Sequence, residues 1–357
     1  MATAEALAKA GPFPASSIRR TGGLLTDKVG CKRAAIEGVK WLVKQQIADG
    51  SVQPVAEGMA SFHKVPYALA LSGQSGRGSR LCTWIAANSL DEEGDLGATF
   101  ARQGPLSRYY HYGNSWIICG AQRLGQFGLS LRAFDFLSSL QHPQTGGFLR
   151  AGPEAALDDD QDLLSTAMAG LAALYLGREE VATAVGGFLV RRWEDQPASG
   201  TRMYLAVSRG EEPTRIYPDE LADQYTITMG KELQWYFVPG LAASFLVRLW
   251  EATNDEIYHQ VAQSYVHFCD SGAGDRYSIP QSGFLGWAAS LLFAASGNVN
   301  YQRIAASVLS GLVSRQRDDG TWSQGSLPSD LPGARTDATA EAIILILEIL
   351  DNLEAGA

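Results

Sequence analysis

Three short strings of the same grammar recur far apart in the chain: "QQIADGSV" (Gln45–Val52), "QHPQTGGF" (Gln141–Phe148) and "QRDDGTW" (Gln316–Trp322). Each ends a helical stretch with glutamine, passes through a few polar residues to glycine, and then meets a bulky side chain. A loop follows, and then a second, more apolar helical stretch: "FHKVPYALALSG", "DLLSTAMAGLAALYLG" and "DATAEAIILILEIL". A repeated unit of helix, glycine turn and helix cannot bury its apolar face alone, so successive copies must stack on one another. No other feature limits the fold as much.

Three further pairs fit with weaker punctuation. "LCTWIAANSLDEEGDL" precedes "YYHYGNSWIICGAQRLG", "EVATAVGGFLVRRW" precedes "TITMGKELQWYFVPGLAASFLVRLW", and "HQVAQSYVHFCDSG" precedes "SGFLGWAASLLFAASG". The spacing predicts about six hairpins of roughly sixty residues each. The first helix of a pair mixes polar and apolar positions and is expected outside. In "AAIEGVKWLVKQQ", Ile36, Val39, Leu42 and Val43 mark its one apolar face. The second helix is rich in Ala, Gly, Ser and Leu, which suits tight packing inside. Six such pairs close into a ring, an all-α (α/α)6 toroid. Residues 31–357 read as one domain after an N-terminal extension, 1–30, and the fourth hairpin carries an insertion at about 195–224 that is expected to form a rim loop or lid.

Two of these strings carry a family resemblance. "QRDDGTW" resembles the Q-x3-G-x-W repeat of squalene cyclases and related terpene cyclases. "QHPQTGGFLRAGP" with "DLLSTAMAGLAAL" resembles the repeat of protein prenyltransferase β subunits. The resemblance implies the toroid and an apolar, possibly terpenoid, substrate. It does not carry over an active site. The cyclase D-x-D-D is absent, the chain has no room for a second toroid, and no Asp-x-Cys with a downstream His is present to hold zinc.

Composition narrows the partners. With 29 Lys and Arg against 38 Asp and Glu, the net charge is −9 and the pI about 5.1. Nucleic acid demands a basic face and is not expected as a partner. No apolar run is long enough to span a bilayer. The N-terminal stretch lacks the apolar core of a secretory signal, so a cytoplasmic protein is expected. The four cysteines, Cys31, Cys82, Cys119 and Cys269, show no zinc or disulfide spacing.

In such a ring the loops that lead into the inner helices open on one mouth, and their residues form one constellation. Aromatic candidates for binding a small-molecule substrate there are Tyr67, Tyr112, Trp116, Tyr225, Trp235, Tyr236, Phe284 and Trp287. Polar candidates are His63, Asn114, Glu232 and Asp337. Asp158, Asp159, Asp160 and Asp162 stand directly before an apolar helix. One or two of them can cap that helix, but four adjacent carboxylates repel, which raises at least one pKa toward that of a usable acid. Asp159, Asp160 and Asp162 are therefore candidate catalytic acids, with His111 or Tyr110 as counterpart. "DDDQD" also fits the Mg2+-diphosphate pattern DDxxD, which belongs to a different helical bundle. No metal and no cofactor is expected. The leading reading is an acid/base cyclase, isomerase or lyase acting on a small apolar substrate. The alternative is an (α/α)6 carbohydrate enzyme, a glycoside or unsaturated uronyl hydrolase, with Asp159 paired with Asp337 or Glu232. A non-catalytic ligand-binding toroid is the third reading.

Overall fold

Which helices lie inside follows from the size of their residues. The computed structural model describes residues 27–54, 58–96, 104–153, 160–197, 200–208, 212–323 and 333–356. Asp158, Asp159 and nearly all of the N-terminal extension lie outside the described residues. Among the described residues six hairpins follow in chain order. They are α1 (Lys28–Lys44) with α2 (Val65–Leu71), α3 (Ser75–Asn88) with α4 (Tyr112–Arg123), and α5 (Phe127–Ser139) with α6 (Leu163–Tyr175). They continue as α7 (Glu179–Glu194) with α8 (Phe237–Thr253), α9 (Glu256–Asp270) with α10 (Gly283–Ser296), and α11 (Val299–Ser314) with α12 (Ala334–Ala355).

The second helices pack in sequence, α2 on α4, α4 on α6 and onward to α12, which returns to α2 and closes the ring. Each first helix lies outside, against the inner helix that precedes it in the ring, and α1 lies on α12. The chain is an (α/α)6 toroid. Small residues permit the inner contacts. A Cβ at Gly120 of α4 would lie 2.6 Å from the Tyr67 backbone nitrogen, and one at Gly240 of α8 would lie 2.5 Å from that of Leu285. Runs such as Leu163–Ala173 and Gly283–Phe293 are buried on every side, as helices enclosed by a ring must be.

The face of α1 corrects the reading from apolar spacing. Ile36 is 52% exposed, while Cys31, Ala34, Ala35, Gly38 and Leu42 are buried. At Gly38 the Trp322 ring comes so close that a Cβ would lie 2.9 Å from it. Close approach selects small residues here, so the buried stripe does not follow the large apolar ones.

The repeated turn works as a clasp. Gln46 Nε2 donates to the Gly50 carbonyl (2.9 Å) and to the Arg77 carbonyl of α3 (3.0 Å). Gln141 does the same to Gly146 (3.0 Å) and Val181 of α7 (3.3 Å). Gln316 does so to Gly320 (3.0 Å) and Ala34 of α1 (2.8 Å). One amide thus closes its own turn and ties it to the next outer helix. Gly50 and Gly320 have φ of +97° and +84°, and Cβ atoms there would lie 2.7 and 2.9 Å from the carbonyl oxygens of Arg80 and Glu37. Only glycine meets both demands. Val52, Phe148 and Trp322 then turn into the core. Identical contacts put the three turns on one edge of the ring, and Gly94 packs in the same way against Arg132.

The described part of the insertion folds as short strands: β2 (Arg202–Tyr204), β3 (Ala206–Ser208) and β4 (Glu212–Pro213), with β5 (Thr226–Thr228) just after it. β2 pairs with β5. β3 pairs with both β4 and β1 (Gln161–Asp162), in register Gln161↔Val207 and Asp162↔Ala206. The insertion is thereby bonded to the end of the acidic segment.

Candidate active site

The two ends of the ring differ. At one end the inner helices pass to the next outer helix through residues 72–74, 124–126, 176–178, 254–255 and 297–298. At the other end the chain spends 45–64, 89–111, 140–162, 195–236, 271–282 and 315–333 on the way inward. The N-termini of all six inner helices point to this second end, the mouth, and so do their positive dipole ends.

A buried ionic group sits where α2, α4 and α12 begin. Lys64 Nζ lies 2.8 Å from Asp337 Oδ1 and 2.5 Å from Glu341 Oε2, and the ammonium stands 5.6 Å from the centre of the Tyr112 ring. His63 Nε2 lies 3.2 Å from the same Asp337 oxygen, and its Nδ1 is 3.1 Å from the Met59 carbonyl. Only 1% of the His63 surface and 3% of that of Lys64 remain exposed. Burial, then the charge of Lys64, holds the His63 pKa well below its usual value, so the imidazole is neutral at pH 7. Burial opposes the charge on Lys64, yet Asp337 and Glu341 together raise its pKa above the ordinary range. Burial also raises Glu341, against the pull of Lys64. The two nitrogens of His63 face two acceptors, the Met59 carbonyl and Asp337, and the neutral imidazole has one proton to offer them. The group combines a neutral imidazole, a fixed cation and a carboxyl group whose pKa burial raises.

A second group centres on Arg150. Its guanidinium lies over the rings of Tyr109 (4.5 Å) and Tyr225 (4.7 Å). It donates to the Tyr109 hydroxyl at 2.8 Å and comes within 3.9 Å of Asp160 Oδ2. Tyr225 donates to that same Asp160 oxygen at 3.3 Å. Beside it, Asp95 accepts from the Tyr110 hydroxyl at 2.5 Å and from Asn114 Nδ2 at 2.8 Å.

The acidic string thus divides. Asp162 is the N-cap of α6 and accepts from the Ser165 N–H at 2.8 Å. Burial raises its pKa, and Arg150 offsets part of that. The capping geometry makes it a structural carboxylate. Asp162→Asn is expected to keep activity and leave the melting temperature within a few degrees, whereas Asp162→Ala costs about 0.5–2 kcal/mol. Thermal melts with activity assays of both variants check this. Asp160 faces Arg150 at the mouth.

The other sequence candidates are distributed over the ring. His111 Nε2 lies 3.0 Å from the Leu149 carbonyl and its ring packs on Phe148, which ties α4 to the next loop. Trp116, Phe284 and Trp287 form a buried aromatic row, with centroids 6.1 and 6.0 Å apart. Trp235 is partly buried, 6.5 Å from Tyr109. Two candidates have a different setting from the one read in the sequence. Tyr67 points away from the mouth and donates to Glu348 (2.8 Å) in a network with Tyr175 and Arg123 that closes the far end. Tyr236 accepts from the Ala273 N–H and joins two mouth loops. Glu232 stands on an exposed turn.

Lys64, Glu341, Arg150 and Asp95 were missed. Their signals were available: Lys64 is a lone charge at the start of an apolar inner helix, and Glu341 follows Asp337 by one helical turn. Among the described residues no group of three or more His, Cys, Asp or Glu side chains is placed to hold a metal ion. No described helix is long and apolar enough to cross a membrane.

No protein-family model matches the sequence, and no curated protein matches it significantly. Solved structures do share the fold. A D-mannose isomerase superposes with a TM-score of 0.68 at 11% identity, over 93% of this chain and 100% of its own. Cellobiose 2-epimerase from Spirochaeta thermophila gives 0.63 at 11%, over 93% and 100%. A GH76 α-mannanase of Bacteroides thetaiotaomicron gives 0.61 at 13%, over 91% and 95%. At these identities the likeness establishes the (α/α)6 toroid.

Proposed function

We propose that the chain is a carbohydrate-active enzyme whose Lys64 group performs acid/base chemistry on a sugar held in the mouth, as an isomerase or epimerase. One observation carries the reading: Asp337 Oδ1 joins a neutral imidazole at 3.2 Å to a buried ammonium at 2.8 Å. Removing a proton next to a carbonyl needs a base at the C–H and positive charge near the oxygen that becomes an enediolate. His63 would serve as the base, Lys64 as the fixed charge, and Glu341 as the group that returns a proton. The fold shared with proteins named as a mannose isomerase and a cellobiose epimerase supports this class.

A hydrolase is the second reading. Two neighbouring carboxyl groups, one with its pKa raised by burial, are also the equipment of a glycosidase, and the shared fold of the α-mannanase supports it. The terpenoid reading loses ground on physical grounds. It leaned on a mouth short of charge beyond the acidic string, whereas Lys64, Arg150, Asp95, Asp337 and Glu341 converge there. A hydrocarbon would desolvate these groups and return no hydrogen bonds.

Chromatography of free aldoses and ketoses after incubation with the full chain tests the proposal. New 2-epimers or aldose–ketose pairs are expected. Release of reducing ends from oligosaccharides without isomerisation would favour the hydrolase, and no change in any sugar would reject both.

A further inference from the structure

One cation at the mouth lacks a counter-charge. Arg315 follows α11 and opens the last mouth loop. It is half-buried, and among the described residues its single hydrogen bond runs from Nη1 to the Ser278 carbonyl of the neighbouring mouth loop. Arg150 and Arg276, the other arginines sheltered in mouth loops, each have a carboxylate at 3.9 Å, Asp160 and Asp270 respectively. Arg315 has none within ion-pair distance among the described residues. Burial pulls its pKa down to about 10, and the field of Glu341 opposes this. At pH 7 it is thus a guanidinium held partly out of water with most of its N–H groups unspent, which is costly until an anion joins it.

We propose that Arg315 anchors a carboxylate on the substrate, so that the sugar taken at the mouth is a uronic acid; this rests on the carbohydrate reading. The fork of a guanidinium matches a carboxylate. The neighbouring head of α10 offers further donors. Ser282, four positions beyond Ser278, is the N-cap of α10 but makes no capping bond, and its hydroxyl is buried without a partner. Trp287 Nε1, on the second turn of α10, is likewise buried without a partner. The amino end of this helix adds its positive dipole. It also packs on α12, where a Cβ at Gly283 would lie 2.3 Å from Leu345, one helical turn past Glu341. Glu341 gives Oε2 to Lys64 at 2.5 Å, and its charge acts on Arg315. In a uronic acid the carboxylate lies at the opposite end of the carbon chain from the carbonyl. Anchor and chemistry therefore need separate groups, and Glu341 links Arg315 to the Lys64 group. A phosphate dianion would bring a second negative charge toward Asp337 and Glu341, which favours the carboxylate.

Ligand-observed NMR titration of the full chain at pH 7 tests this. The ligands are D-glucuronate, D-mannuronate and D-galacturonate, their neutral parents D-glucose, D-mannose and D-galactose, and the 6-phosphates of those parents. At least one uronate is expected to bind with a Kd about tenfold or more below that of its parent. Arg315→Met is expected to weaken that uronate to the level of the parent. Arg315→Lys, which keeps the charge without the fork, should recover only part of the loss. Should a thermal melt show Arg315→Met unfolded, a drop in uronate affinity from wild type to Arg315→Lys carries the same test. A uronate bound no more tightly than its parent, or unaffected by these substitutions, overturns the proposal and leaves the carbohydrate reading standing. A 6-phosphate bound more tightly than the uronate overturns it in favour of a phosphate anchor. Binding of no sugar removes the carbohydrate reading and the proposal with it.

Discussion

His63→Gln is expected to lower kcat for sugar isomerisation by about 10²–10⁴-fold, the usual worth of a positioned proton-transfer group. Stability should change far less. The imidazole makes one hydrogen bond to a backbone carbonyl, at 3.1 Å to Met59, and such a bond contributes about 0.5–1.5 kcal/mol. Steady-state kinetics and a thermal melt on the same preparation separate the two effects. The wild-type pH profile carries a second expectation. Burial and the Lys64 charge depress the His63 pKa, so the base stays neutral to well below pH 6.5 and the acid limb of kcat lies there. The same depression links to folding. The unfolded imidazole takes up a proton near pH 6.5 while the folded one resists, so its contribution to stability is complete above pH 6.5 and is lost as pH falls toward the folded value.

Lys64→Met should have the largest structural effect of any single change at the mouth. It leaves Asp337 and Glu341 beside one another without the ammonium that bridges them. Removing one partner from a buried ion group costs about 3–5 kcal/mol, because the remaining charge is uncompensated. Activity should fall to background. Replacing the carboxylates as well, in Lys64→Met with Asp337→Asn and Glu341→Gln, should recover most of the stability and none of the activity. Denaturant melts of the single and triple variants check this. An unaltered melt for Lys64→Met would mean that the group is well hydrated, contrary to its burial.

The architecture could be read from the sequence because it is written in local terms. Gln46, Gln141 and Gln316 close turns that are contiguous in the chain, and the Gly, Ala and Ser of the inner helices report directly on close approach. The site is written differently. Lys64 meets Glu341 across 277 positions, and Arg150 meets Gln224 across 74. Each is a single charged residue whose meaning depends on which helix ends the ring brings together. The four aspartates drew attention because they are adjacent. Adjacency is a poor guide here, for Asp162 caps α6 while Asp160 joins the Arg150 group. Asp337 was legible as an acid at the head of the last inner helix, a partner for Asp159 across the mouth, and it proves to be the residue that joins His63 to Lys64. The Tyr67 reading failed for a geometric reason: α2 is only 7 residues long, so a side chain near its start can reach the far end of the barrel.

The central claim is that the Lys64 group removes a proton next to a sugar carbonyl. Proton NMR of a substrate sugar incubated in D2O measures that event at the carbon concerned. Wild type is predicted to introduce deuterium at carbon 2, and His63→Gln to slow this by the same factor as kcat. Exchange at the wild-type rate in His63→Gln, or a sugar converted by wild type with no deuterium at carbon 2 under any condition, would contradict the account.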